Sequence, residues 1–158
     1  MRAFPILLIL IAGCRDSTPD SRAAAGDSSV AAVVADSAGM YELDLPSRWK
    51  GHFRVDSLST AERGRAQPGA LVFQYLPSDS TLRPQALLVV AVYDSAIWQS
   101  VRAEAGPPPG DSVAARNGRV YVVALPQSNP FAPGSTDATV FSLLQLRPAE
   151  LATLVRLR

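Results

Sequence analysis

The sequence predicts an α+β fold: an antiparallel sheet of five or six strands covered by about three helices, in an α/β/α sandwich-like layering. Three observations carry this. Several short stretches alternate apolar and polar residues with period two. Two longer valine-rich runs are apolar on both faces. Three segments with helical spacing bring their own start or stop signals. At 158 residues and 47% hydrophobic composition, the chain has material for one core and one domain. A β-sandwich is the alternative class, and the helical segments argue against it.

The elements follow in order. In "YELDL", Tyr41, Leu43 and Leu45 share one face and Glu42 and Asp44 the other, as in a half-buried strand. Pro46 and Ser47 turn the chain. "HFRVDS" alternates as well, with Phe53 and Val55 inward and His52, Arg54 and Asp56 outward, so the two stretches are expected to pair with each other. "ALVFQYL", Ala70 to Leu76, is a third strand between Pro68-Gly69 and Pro77. "QALLVVAVYD" and "GRVYVVALP" are apolar on both sides, which places them at the centre of a sheet covered twice. Asn117-Gly118 is a hairpin turn signal joining the second run to "DSVAAR".

Three helices are expected. Asp94 or Ser95 opens "SAIWQSVRAEA", whose buried face would hold Ile97, Trp98 and Val101; Gly106 and Pro107-Pro108-Pro109 end it. Ser135, Thr136 or Asp137 caps "ATVFSLLQL". Pro148 at a first helical position, with Glu150 in the first turn, starts "PAELATLVRLR", striped by Leu151, Leu154 and Val155.

Upstream, residues 15–38 are rich in Ser, Asp, Ala and Gly and lack aromatic side chains. Such a composition buries too little apolar surface to offset ordering entropy, so it reads as a flexible tether. "VAAVVA", Val30 to Ala35, is its one apolar patch and the place where a short helix or a first strand could form. The globular domain is placed at 39–158.

Charge excludes one class of partner. Net charge is +1, and Arg2 is the only basic residue before Cys14, so the chain from Cys14 onward is formally balanced. No general field attracts nucleic acid.

The single cysteine, Cys14, cannot form an intramolecular disulfide. It also lacks the company of further Cys and His residues that a zinc site requires. Its position is informative. Arg2 and the apolar run Ala3 to Gly13 have signal-peptide proportions and are too short to span a bilayer. Ile11-Ala12-Gly13-Cys14 resembles the bacterial lipobox. That resemblance implies removal of residues 1–13, a diacylglyceryl thioether on Cys14 and acylation of the new amino terminus. Several acyl chains on one residue anchor durably. The membrane is thus one expected partner, through the lipid on Cys14. The expected location is the cell envelope, in the outer membrane where there are two, because no aspartate directly follows the cysteine.

Two further stretches resemble a known group. "DLPSRWKGHFRVD" has the pattern Leu-Pro-x-x-Trp-x-Gly-x-Phe, and "NGRVYVVALPQSNPF" has Tyr-Val-x-Ala-Leu-Pro-x-x-Asn-Pro. Together, over Tyr41 to Arg158, they are similar to a group of small secreted or lipid-anchored bacterial proteins with a PsbP/Mog1-like layout. The resemblance implies a fold and an envelope location and carries no catalytic constellation.

Candidate site residues are few. The loop Pro126 to Pro133 leaves the carboxyl end of a central strand, where ligand sites are common, and holds Gln127, Asn129 and Phe131. Trp49, in another strand connection beside Lys50, is placed with them as a candidate ligand-binding residue. The plainer reading is that Trp49 and Phe131 plug the ends of the core. His52 reads as a solvated strand histidine and Asp94 as a helix cap. Arg63-Gly64-Arg65 reads as a polar loop. No Gly-x-Ser-x-Gly elbow, phosphate-binding loop or metal motif occurs. No cofactor and no metal are expected. The expected function is a noncatalytic binding or interaction module whose partner is another envelope protein or a cell-wall component. The alternative is a periplasmic hydrolase using Asp94 or His52.

Overall fold

The computed structural model describes residues 30–35 and 41–158. Among these residues eight strands make two antiparallel sheets. The larger contains β3 (Phe53–Ser57), β4 (Leu71–Tyr75), β5 (Gln85–Asp94), β7 (Arg119–Ala124) and β6 (Asp111–Arg116), side by side in that order. The smaller contains β1 (Val30–Ala35), β2 (Tyr41–Pro46) and β8 (Val155–Leu157), with β2 in the middle. The helices are α1 (Thr60–Arg63), α2 (Ser95–Ala103), α3 (Thr136–Leu144) and α4 (Pro148–Leu154), with a 3₁₀ turn at Ser47–Trp49. The class is α+β, and the main sheet is open.

The valine-rich runs are β5 and β7, and both are interior to the sheet. Their two faces bury into two different layers, which is why neither run alternates. On one face Leu88, Val90, Val92, Tyr121 and Val123 pack with Phe73, Trp49, Phe141 and the inward residues of β2. On the other, Ala91, Tyr93, Val120 and Val122 pack against Trp98 and Val101 of α2. The β6–β7 hairpin turns at Asn117 (φ 52°) and Gly118 (φ 74°), the left-handed pair that suits strand twist, and it sets Arg116 opposite Arg119. Beyond the other end of β6, Gly110 lies so close to β7 that an added Cβ would stand 2.3 Å from the Val123 carbonyl oxygen.

Several expectations need correction. β2 and β3 do not pair with each other: β2 lies between β1 and β8, whereas β3 pairs with β4. The reason is the 3₁₀ turn, which drives Trp49 into the core and carries the chain from one sheet to the other. Val30–Ala35, placed in the tether, is strand β1 and pairs with β2. The last helix stops at Leu154, and β-branched Val155 begins a strand opposite Leu43. Ile97 is exposed although its neighbours Trp98 and Val101 are buried. Among the three candidate caps of α3, Ser135 accepts from the Ala138 N–H. Asp94 stands at the cap position of α2 but its side chain makes no capping bond.

Candidate functional site

β7 ends at Ala124, opposite Val89, but β5 runs four residues further, to Gln85, and is paired there with β4 alone. The chain leaves β7 through Leu125-Pro126; proline has no N–H to continue the ladder. The result is a notch in the sheet, a depression of about 260 Å³. Its apolar lining includes Val89, Ala124 and Phe141, and its polar groups are Gln85, Gln127 and Ser128. The Gln85 amide donates to the Arg83 carbonyl at 3.2 Å, and the Gln127 amide reaches the Leu125 carbonyl only at 3.5 Å. No formally charged side chain lines the notch. Such a surface fits uncharged polar groups carried on an apolar frame.

Of the four residues expected to bind a ligand, only Gln127 lies in the notch. Asn129 is committed to the scaffold. Its amide nitrogen donates to the Ala138 carbonyl (2.7 Å) and the Ser142 hydroxyl (2.9 Å), and its oxygen accepts from the Phe131 N–H (3.0 Å). Phe131 is half-buried, edge-on to Tyr75 and Phe141 with centroids 5.4 and 5.5 Å away. Trp49 is fully buried against Phe53 and Phe73, so it offers a ligand no surface. Cys14 lies outside the described residues. His52 and Asp94 are both exposed. They belong to opposite ends of the main sheet, because His52 precedes Phe53, which aligns through Tyr75 with Gln85, while Asp94 is the last residue of β5. At about 3.3 Å per residue the ten-residue strand separates those ends by roughly 30 Å, so the two side chains do not share a site.

Two polar constellations escaped the sequence reading. The first explains the Leu-Pro-x-x-Trp stretch. The last carbonyls of a helix have no partner within it. Here Arg48 Nε donates to the Leu143 carbonyl (2.9 Å), Trp49 Nε1 to Leu144 (2.7 Å) and Arg48 Nη2 to Gln145 (3.0 Å). Arg48 also holds both carboxylate oxygens of Glu150 in the first turn of α4. Two adjacent residues thus cap α3 and fasten it to α4, with a cation at the helix's negative end. The Arg48 hydrogen bond is the main reason the Glu150 carboxyl sits below its ordinary range, against the opposing effect of partial burial.

The second is Asp137, the one buried charged residue among those described. It accepts from the Ser78 N–H (2.8 Å), the Tyr75 hydroxyl (2.7 Å) and the Ser78 hydroxyl (3.0 Å). The Ser78 N–H, then the Tyr75 hydroxyl, hold its carboxyl below the ordinary range. Burial first, and the neighbouring carboxylate second, push the Tyr75 hydroxyl up to about 12. Near neutral pH neither group changes protonation state. The cluster ties the segment after β4 to the first turn of α3 rather than moving protons. No local signal joins Tyr75 to a residue 62 positions away.

Among the described residues no group of three His, Cys, Asp or Glu side chains is arranged to hold a metal, and no helix is long and apolar enough to cross a membrane. No family model, curated protein or solved structure matches the chain.

Proposed function

We propose that this chain is a lipid-anchored protein of the cell envelope, held to the membrane through Cys14, whose domain is a noncatalytic binding module. The Ile11-Ala12-Gly13-Cys14 sequence supports the anchor. The observation that carries the binding reading is the notch beyond Ala124. There an apolar floor meets the amides of Gln85 and Gln127 and the hydroxyl of Ser128, with no charge. Its ligand is an uncharged polar group of a cell-wall component or an extended segment of another envelope protein. Hydrogen bonds to amides set orientation, and burial on the half-buried Val89, Ala124 and Leu125 supplies most of the affinity.

The test uses the full chain and backbone-resolved chemical shifts. Soluble cell-wall fragments and peptides from envelope proteins should shift Val89, Ala124 and Gln127 together. Ala124→Arg, which fills the notch, should abolish the shifts, whereas His52→Ala and Asp94→Asn should leave them intact. Loss of a hydrolytic activity on either of the latter two, with folding unchanged, would instead establish the hydrolase reading. For the anchor, globomycin should block processing, and Cys14→Ser should remove lipid labelling and membrane partitioning. Partitioning that survives Cys14→Ser refutes the anchor.

A further inference from the structure

Resting on the lipid anchor proposed above, we infer that the end of the domain formed by the 3₁₀ turn, the last turn of α3 and the start of α4 is a membrane-contacting face that seats on an anionic headgroup surface. Where the chain arrives is the first reason. Val30 pairs with Pro46, and Pro46 leads directly into the 3₁₀ turn, beside which β1 packs. Only Arg15 to Ser29, fifteen residues, separate Cys14 from that point. Even fully extended they reach no further than about 50 Å. The anchor therefore enters the domain at this end, and the bilayer is always within its reach.

The second reason is what this end exposes. Two of the four large apolar side chains that are exposed among the described residues are here. Leu143, 67% exposed, is in the last turn of α3, whose carbonyls Arg48 caps. Leu76 donates its N–H to the His52 carbonyl just past the 3₁₀ turn, whereas Leu82 lies further along the β4–β5 connection, beyond Ser78, which is bonded to the first turn of α3. The fourth, Ile97, is in the first turn of α2 at the far end of the main sheet. Scattered exposed leucines are ordinary; Leu143, the most exposed of the four, stands out because it lies at the anchored end.

Charge is the third reason. Residues 47–52 and 142–150 carry Arg48, Lys50 and Arg147 against the single acid Glu150, which Arg48 neutralises. Lys50 and Arg147 are exposed and enter no ion pair among the described residues. An exposed leucine at the same end as two exposed cations is the pattern of a surface that dips apolar groups below the phosphates and pairs its cations with them. Tethering lets so small a patch suffice, because docking is intramolecular once the lipid is inserted.

The experiment uses the lipidated full chain in vesicles of phosphatidylglycerol and phosphatidylethanolamine. Leu143→Cys or Ile97→Cys is labelled with an environment-sensitive fluorophore. Lipidation blocks the Cys14 thiol, so each variant should take one label; a second label means that the anchor reading, and this inference with it, has failed. The probe at 143 should shift to the blue and be quenched by bromine-labelled lipid, while the probe at 97 should do neither. Lys50→Glu with Arg147→Glu should bring the quenching at 143 down to that at 97, as should vesicles of phosphatidylcholine alone. Equal signals at the two positions in the anionic vesicles overturn the inference. So does a signal at 143 that needs added envelope protein, which would assign this face to a protein partner.

Discussion

Replacing Arg48 with methionine keeps the aliphatic stem that lies on the core and removes the guanidinium. Two backbone carbonyls, of Leu143 and Gln145, lose their donor, and Glu150 loses its bidentate partner. A hydrogen bond from a charged group is worth about 1.5–3 kcal/mol when well buried, and a fully exposed ion pair about 0–1 kcal/mol. Arg48 and Glu150 are 25% and 27% exposed, between those limits. The freed carbonyls regain some water. We expect a loss of roughly 2–3 kcal/mol at pH 7, a large part of the ~5–15 kcal/mol that holds a domain of this size together.

The pH dependence makes the prediction specific. Arg48 depresses the Glu150 carboxyl in the folded state. A depressed carboxyl stabilises the fold above its unfolded value, about 4.3, and that contribution is lost as pH falls through the folded value. Urea unfolding of wild type and Arg48→Met, followed by tryptophan fluorescence, should show a wide gap at pH 7. The gap should narrow below about pH 4 and keep a remainder, because the carbonyl contacts do not titrate. Glu150→Gln in both backgrounds isolates the ion pair. A gap under about 0.5 kcal/mol at pH 7, the size of an ordinary surface substitution, would refute the clamp. A gap that does not change with pH would refute the role of Glu150.

Three further outcomes follow from the packing. Gly110→Ala forces a methyl group to within 2.3 Å of the Val123 carbonyl oxygen, so it should lower stability by about 1–3 kcal/mol in thermal melts; an unchanged midpoint contradicts that close approach. Trp49→Phe keeps an aromatic ring in the core but leaves the Leu144 carbonyl without its donor. It should cost roughly 1–3 kcal/mol in urea while leaving ligand-induced shifts at Ala124 unaltered; weakened binding at wild-type stability would return Trp49 to the ligand site. Asp137→Asn should lower the unfolding midpoint at pH 7, with the deficit closing on acidification, since the depressed carboxyl contributes above its unfolded pKa and not below its folded one. A deficit that grows in acid would mean that the carboxyl is not held ionised by Ser78 and Tyr75.

What was legible in the sequence was whatever local periodicity or turn chemistry dictates. The two-faced burial of β5 and β7, the Asn117-Gly118 hairpin and the Pro148 helix start each rest on a few consecutive residues. Pairing between distant segments was not legible. Leu43 meets Val155 across more than a hundred residues, and no feature of "YELDL" distinguishes that neighbour from Phe53. Val30–Ala35 illustrates the same limit, because nothing within so short a run announces its partner β2.

The candidate site failed in an instructive direction. The most distinctive signals, a tryptophan after Leu-Pro and an Asn-Pro before phenylalanine, drew attention as binding groups, yet both close the fold. Trp49 and Arg48 cap α3 at carbonyls ninety-five positions and more away, and Asn129 pins its loop to that same helix. A large aromatic or a fully bonded amide is costly to leave exposed and valuable to bury, so its conspicuousness in a sequence argues for the interior first. The notch has the opposite character. It arises because β7 stops at Ala124 while β5 continues to Gln85, a difference in strand length that no single residue announces. Its polar groups are two glutamines and a serine, residue types that occur on any surface. A site for uncharged ligands needs nothing more conspicuous, so it becomes visible only when the strand ends are placed in register.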